Sequence, residues 1–198
     1  MGVPWAHPFS LTRACVNGLQ PLLAGQAAQV VGEQWTTRTQ LDIDAPNPPI
    51  LLAALGPRML RVAGARVAGT TLDYCGPCII ATYVGPHWDA GAAAAGRARP
   101  RVMARVRICV TKDRSGAFAL AQAISARYQA LPSYARVLAK EGLTDPAELH
   151  LIGRWPQVLD GLGAYAEAGV RDLRIEVAAH TEAACEATRM ALAAYLSA

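Results

Sequence analysis

The segment PPILLAALGPRMLRVAGARVAGTTLDYCGPC, residues 48–78, decides the fold. It contains two short apolar runs, from Ile50 to Leu55 and from Gly69 to Tyr74, and each run leads into a turn with a Gly-Pro pair. A segment with helical periodicity lies between the runs, and another helical stretch follows Cys78. Short apolar runs that alternate with helices are typical of parallel strands buried on both faces. The segment therefore predicts βα units of an α/β protein, with ligands expected where strands end and helices begin.

The same pattern continues along the chain. Clear βα units start near residues 50, 69, 101 and 171, with a weak fifth at Leu149. Alternation over residues 29–43 predicts a small β flap outside the main sheet. Ser10 is expected to cap a preceding helix that ends at Gly25 and has Leu19 on its apolar, inward face. A closed eight-unit barrel typically needs about 250 residues, and this chain has 198. We predict a single domain, residues 1–198, that forms the C-terminal four or five βα units of a partial (β/α)8 TIM barrel. A small, open, doubly wound sheet is the alternative.

Composition limits the class of function. A hydrophobic content of 53% with 17% charged residues indicates a globular protein. The net charge of +4 is spread along the chain, which favours an ordinary solvated surface over nucleic-acid binding. No apolar run reaches eighteen residues, so no membrane span is expected. Five irregularly spaced cysteines do not form a secreted disulfide framework, and the N-terminus does not resemble a signal peptide. We therefore expect a cytoplasmic protein.

Several separated blocks occur in order along the chain: residues 49–60 (PILLAALGPRML), Ala63-Gly64, residues 68–70 (AGT), residues 109–111 (CVT), residues 131–134 (LPSY) and residues 166–170 (AEAGV). Together these blocks resemble the luciferase-like monooxygenase superfamily, in particular its coenzyme F420-dependent oxidoreductases. The resemblance implies a TIM barrel, and only its C-terminal part is matched. It also implies an enzyme that transfers a hydride between F420, or alternatively FMN, and a small organic substrate. Because the first barrel strands have no counterpart here, the chain is expected to be a fragment, a truncated gene product or a degenerate paralogue.

The first Gly-Pro turn is the predicted cofactor-binding segment. It consists of Ala53, Ala54, Leu55, Gly56, Pro57 and Arg58, and it resembles the family's contact with the phosphate-bearing side chain of the cofactor. Glycine lets the backbone approach an anion, and the following helix presents free N–H groups and a positive dipole end. An ordinary βα turn that needs Gly and Pro only for geometry is the alternative.

The second Gly-Pro turn lies within Cys75-Gly76-Pro77-Cys78. A Cys-x-x-Cys at a helix start can lower the pKa of its first thiol, which suggests a dithiol redox module. The partner loop of a thioredoxin-like fold is missing downstream, however. The resemblance instead makes Gly76 and Pro77 a βα turn at the cofactor or substrate end of a strand.

Other polar residues give weaker signals. Arg101, Arg105 and Arg107 alternate on one face of a predicted strand, and Val106 and Ile108 lie on its apolar face, which is expected to pack under the helices. They either reach anionic ligand groups or lie on a face open to water, and we favour the open face. His87, His150 and His180 have no partners at metal-ligand spacing and are expected on the surface or in loops. No catalytic residue and no metal site can be assigned.

Three hypotheses remain from the sequence. The chain is a flavin- or F420-dependent oxidoreductase or a remnant of one, with weak or no turnover alone. Alternatively, it is a non-catalytic half-barrel that self-associates as a homo-oligomer or pairs with a separate N-terminal half, since half a barrel exposes sheet edges. The third hypothesis is the dithiol module.

Overall fold

The computed structural model describes residues 6–32, 36–42 and 47–197. Its strands are β1 (Ala28–Val31), β2 (Thr36–Thr39), β3 (Leu51–Ala53), β4 (Gly69–Asp73), β5 (Arg101–Val110), β6 (Leu151–Gly153) and β7 (Asp172–Val177). Its helices are α1 (Pro8–Leu23), α2 (Pro57–Arg66), α3 (Pro77–Ile79), α4 (Gly85–Ala94), α5 (Arg114–Gln129), α6 (Pro132–Glu141), α7 (Trp155–Glu167) and α8 (Glu182–Leu196). A π-helical turn, Ile80–Val84, joins α3 to α4, and a 3-10 turn, Pro146–Leu149, precedes β6.

The predicted α/β class is confirmed, because strands form at all five predicted places and pair in parallel. The predicted flap is also present, as an antiparallel pair of β1 and β2 in a separate sheet. Residues 33–35 and 43 of the predicted flap lie outside the described part of the chain. That residues 1–198 form one domain stays a prediction.

Strand β5 is the centre of the main sheet. It pairs with β4 along residues 101–105, with β7 along residues 103–108 and with β6 along residues 108–110. The outer strand β3 pairs with β4. Within residues 47–197 the outer strands β3 and β7 do not pair with each other, so the described sheet is open. Because the five strands of the main sheet pair in parallel, they all end toward one edge of that sheet, where the following helices begin.

The two faces of β5 have opposite characters. Val102, Ala104, Val106 and Ile108 are buried in the main hydrophobic core under helices α2, α3 and α7. Because side chains alternate along a strand, Arg101, Arg105 and Arg107 lie on the other face. The register pairs Leu173 of β7 with Ala104 and Ile175 with Val106, so both β7 residues lie on the apolar face of the sheet. These two β7 side chains are 37% and 36% exposed.

Two details of the helices differ from the sequence prediction. Helix α1 begins at Pro8 after His7, so Ser10 lies inside the helix and does not cap it. Its expected inward residue Leu19 is 46% exposed, whereas Gly18 is buried. The reason is local packing, because a Cβ at Gly18 would lie 3.1 Å from the Thr37 hydroxyl of the flap. None of the described helices is long and apolar enough to cross a membrane.

Candidate cofactor-binding site

The turn after β3 presents an uncapped helix start. Gly56 is the N-cap of α2 and Pro57 its first residue, and the Gly56 carbonyl accepts the first helical hydrogen bond from Leu60 N–H at 2.9 Å. No side chain caps this helix within the described residues, and its first turn has no acidic residue. A Cβ at Gly56 would meet nothing within 4 Å. The glycine is therefore not required for packing, and the helix start is open to an approaching group.

A cavity of about 340 Å³ lies against this turn. Leu55, Gly56 and Pro57 form one wall, and the rest is lined by Tyr83, Ser133, Arg136, Val137 and Lys140. The four residues from α6 recur at intervals of three and four, which puts them on one face of that helix. Gly142, at φ 83°, ends α6 in the left-handed conformation that favours glycine. The structure therefore places one face of α6, which carries two basic residues, opposite the Gly-Pro turn.

The electrostatics of the cavity favour an anion. Arg136 and Lys140 are exposed and form no ion pair with any residue that the structure describes. The Lys140 ammonium lies 4.9 Å from the centre of the Tyr83 ring, within the range of a cation–π contact. Tyr83 itself belongs to the π-helical turn, a distortion that is frequent at functional sites. No carboxylate is among the lining residues.

The predicted segment is only partly at the cavity. Leu55, Gly56 and Pro57 line it, whereas Ala53 ends β3 and Ala54 is buried in the core. The Arg58 guanidinium is not among the lining groups, because it stacks over the Phe9 ring of α1 at 4.3 Å. Sequence reasoning missed Tyr83, Ser133, Arg136 and Lys140. The spacing on α6 was a possible signal, but nothing in the sequence shows which turn that helix faces.

The second Gly-Pro turn is already occupied by the protein's own carboxylate. Glu141 accepts hydrogen bonds from the backbone N–H of Cys78 at 3.1 Å and of Ile79 at 2.6 Å. A Cβ at Gly76 would collide with that carboxylate, so glycine is needed there for a close approach. The N–H groups after Gly76 and Pro77 are thus capped internally. Gly76 and Pro77 are not among the residues that line the cavity. Their assignment to cofactor binding stays a prediction.

The lowered thiol pKa on which the dithiol hypothesis depends is not found at Cys75. Cys75 is only 3% exposed, and this burial raises its pKa to about 12. The negative charge of Glu141 contributes a smaller increase in the same direction. Because Glu141 fills the helix start, the dipole acts on a carboxylate instead of a thiolate. Cys75 and Cys78 are free in the structure, and Cys78 is exposed. This geometry gives the dithiol hypothesis no support.

The face of β5 that carries Arg101, Arg105 and Arg107 is less exposed than expected. Only Arg101 is well exposed, at 54% of its side chain, and it pairs with Asp172 at 2.6 Å. The Arg107 side chain is 4% exposed and donates to the Asp73 carboxylate at 2.8 Å. Arg105 bridges Asp73 and Glu176. Carboxylates from the two flanking strands therefore compensate the arginines, and no ligand is needed to do so.

A buried polar chain lies beside this charge cluster. The Tyr74 ring packs against the Arg107 guanidinium at 4.2 Å, and its hydroxyl is 2.9 Å from Ser125 Oγ. Ser125 Oγ is in turn 3.1 Å from His150 Nε2. Burial, together with the positive charge of Arg107, lowers the pKa of His150 to about 4. His150 lies in the loop between the 3-10 turn and β6, one of the two expected positions, but at 7% exposure it is not on the surface. No group of metal ligands occurs among the described residues.

A parallel sheet whose strands alternate with helices defines an α/β protein. Residues 1–172 match the family model described as luciferase-like monooxygenase, and the chain belongs to this family. It is 28% identical over 155 residues to a 5,10-methylenetetrahydromethanopterin reductase of Methanolobus tindarius, covering 77% of this chain and 47% of that protein. The chain thus spans about half the length of this curated relative.

Two solved structures share the fold. One is the coenzyme F420-dependent tetrahydromethanopterin reductase of Methanopyrus kandleri, with a TM-score of 0.73, 20% identity, and coverage of 91% of this chain and 61% of that one. The other is the oxygenating constituent of 3,6-diketocamphane monooxygenase of Pseudomonas putida in complex with FMN. Its TM-score is 0.58 at 15% identity, with coverage of 84% of this chain and 56% of that one. At these identities the likeness shows the fold, and the family is one of oxidoreductases and monooxygenases.

Proposed function

We propose that this chain binds the phosphate-bearing side chain of F420, with FMN as the alternative, in the cavity between the Gly56-Pro57 turn and helix α6. The observation that carries this proposal is an open, uncapped helix start that faces Arg136 and Lys140, two cations without an ion-pair partner among the described residues. A helix N-terminus is a common binding site for a phosphate, and basic side chains nearby favour a ligand with further negative charge. The protein would act in hydride transfer between the cofactor and a small organic substrate.

The residues present fit such a group. The lining offers a hydroxyl from Ser133, two cations and the free N–H groups of the helix start, and it contains no competing carboxylate. Leu55, Pro57 and Val137 form the apolar part of the wall. A volume of about 340 Å³ is at the low end for a ligand site, which suits a side chain better than a whole ring system. When bound, the cofactor supplies the hydride chemistry, and these residues hold and orient it.

Titration of the protein with F420 and with FMN, followed by fluorescence, tests the proposal. Changing Ser133→Asp puts a carboxylate into the cavity, while an acid in the first turn of α6 is compatible with the helix dipole. Repulsion of an anion a few ångströms away should weaken binding by about tenfold or more. The matched control is Ala135→Asp, on the exposed part of the same helical turn and outside the cavity. The proposal fails if neither cofactor binds at millimolar concentration, or if both variants weaken binding equally.

The open sheet supports a second candidate function, which is association with another chain. Strand β7 has Leu173 and Ile175 exposed beside an edge that has no strand partner among the described residues. An apolar strand edge tends to pair with another chain. We propose that this edge is covered by self-association or by a segment carrying the N-terminal barrel strands, and that this chain alone has weak or no turnover. A stable monomer in light scattering would contradict the self-association.

A further inference from the structure

We infer that Arg136 and Lys140 make the cavity selective for a ligand chain with several negative charges, and so for F420 over FMN. The inference rests on the proposed function and specifies it. FMN ends in a single phosphate, whereas F420 carries glutamate carboxylates beyond its phosphate. This selectivity would come from helix α6. It cannot be inferred from the sequence of the Gly-Pro turn.

The first argument is the spacing of the two cations. Arg136 and Lys140 are four residues apart on α6, which corresponds to roughly 6 Å along the helix axis. Both line the cavity whose opposite wall is the Gly56-Pro57 turn. A phosphate held at the start of α2 occupies one anion position. Two cations one turn apart offer further positions that suit successive carboxylates on a flexible chain.

The second argument is that the cations are not neutralised. Glu141 follows Lys140 directly, but its carboxylate is committed to the backbone N–H groups of Cys78 and Ile79. Helix α6 therefore presents the Glu141 carboxylate to the turn at Gly76, and it presents Arg136 and Lys140 to the turn at Gly56. Cations without partners beside a cavity raise the local concentration of anions and favour ligands with more negative charge.

The third argument is that Lys140 is held in place. Its ammonium lies 4.9 Å from the Tyr83 ring centre, and the Tyr83 ring meets the His87 ring edge-on at 4.9 Å. A lysine side chain is otherwise flexible and loses rotamer entropy when it binds a ligand. Contact with a fixed aromatic ring reduces that cost. The cavity is thus prepared for an anion before the anion arrives.

The test compares four proteins: wild type, Arg136→Gln, Lys140→Gln and the double variant. The matched control is Arg189→Gln, an exposed helical arginine of α8 with no ion pair to a described residue. Each protein is titrated with FMN, with F420 of short glutamate tail and with F420 of long tail, at low and high salt. An oligoglutamate peptide serves as a competitor without a ring.

We expect each single variant to weaken binding of long-tailed F420 by up to about fivefold, and the double variant by about tenfold or more. FMN binding should change by less than about twofold, because a helix start alone can hold its phosphate. The dependence on salt should be steeper for the long tail in wild type than in the double variant. Oligoglutamate should compete with long-tailed F420 in wild type.

Two outcomes overturn the inference while the proposed function survives. In one, FMN loses as much affinity as F420 in the double variant, which would make the cations part of the phosphate site. In the other, short- and long-tailed F420 bind equally well to wild type, so that the cations would serve a different anion, such as an acidic substrate. If neither F420 nor FMN binds wild type, the proposed function and the inference fall together.

Discussion

Replacement of Arg107 by methionine removes a cation that is buried at the centre of the sheet. Its side chain is 4% exposed and donates to Asp73 at 2.8 and 3.3 Å, and it also pairs with Glu176. Methionine keeps an unbranched side chain of similar length, so packing is changed less than charge. The change leaves the Asp73 carboxylate, which is 19% exposed, with Arg105 as its remaining partner.

The magnitude follows from burial. Removing one partner of a buried ion pair typically costs about 3–5 kcal/mol, because the other charge is left uncompensated. The Glu176 side chain is 37% exposed and can regain water, so we expect the lower end, about 3 kcal/mol. With a urea m-value of about 2–3 kcal/mol/M, the unfolding midpoint should fall by about 1 M.

Arg101 provides a matched control. It lies on the same strand and the same face, and it pairs bidentately with Asp172, but its side chain is 54% exposed. A surface pair contributes about 0–1 kcal/mol, so Arg101→Met should shift the midpoint by less than a third of the Arg107 effect. Urea unfolding monitored by circular dichroism measures both. Equal shifts for Arg101→Met and Arg107→Met would refute the argument that burial decides the value of these pairs.

Three further predictions concern packing, thiol reactivity and pH. Gly64→Ala should destabilise the fold by more than about 1 kcal/mol, since its Cβ would collide with backbone of α4, whereas Gly163→Ala, with nothing within 4 Å, should stabilise by about 0.5–1 kcal/mol in thermal unfolding. Iodoacetamide should alkylate exposed Cys78 in the native protein at pH 8 and leave Cys75 unmodified by mass spectrometry. His150 titrates near 6.5 when unfolded and near 4 when folded, so the unfolded state binds more protons between these values. Lowering the pH from 6.5 to 4 should therefore cost about 3 kcal/mol, and His150→Gln should remove most of that dependence in urea unfolding.

The strands could be predicted from the sequence because each is a short apolar run bounded by glycine, proline or a charged turn. Residues 101–110 illustrate this, since strict alternation indicated the strand and correctly assigned Val106 and Ile108 to the core face. The environment of Arg107 could not be predicted in the same way. Its burial depends on Asp73 and Glu176, which come from strands 34 residues earlier and 69 later in sequence, and only the pairing of β4 and β7 with β5 brings them together.

The candidate site shows the same limit. A Gly-Pro turn before a helix is a local feature, so Gly56 and Pro57 could be proposed from the sequence. The opposite wall of the cavity comes from Arg136 and Lys140, about eighty residues further along the chain. Local periodicity predicts that α6 is a helix, but the direction that its basic face takes depends on the packing of α6 against α3 and α5.

The two Gly-Pro turns have nearly the same local sequence pattern, yet helix α6 gives them opposite properties. Glu141 caps the start of α3, so the turn at Gly76 already holds an anion from the protein itself. Lys140, one residue earlier, faces the cavity at Gly56, where the helix start remains uncapped. Exchanging these charges would test whether α6 alone decides which turn binds an anion. The motif supplies the donors at both turns, and the neighbouring helix determines which of them is available to a ligand.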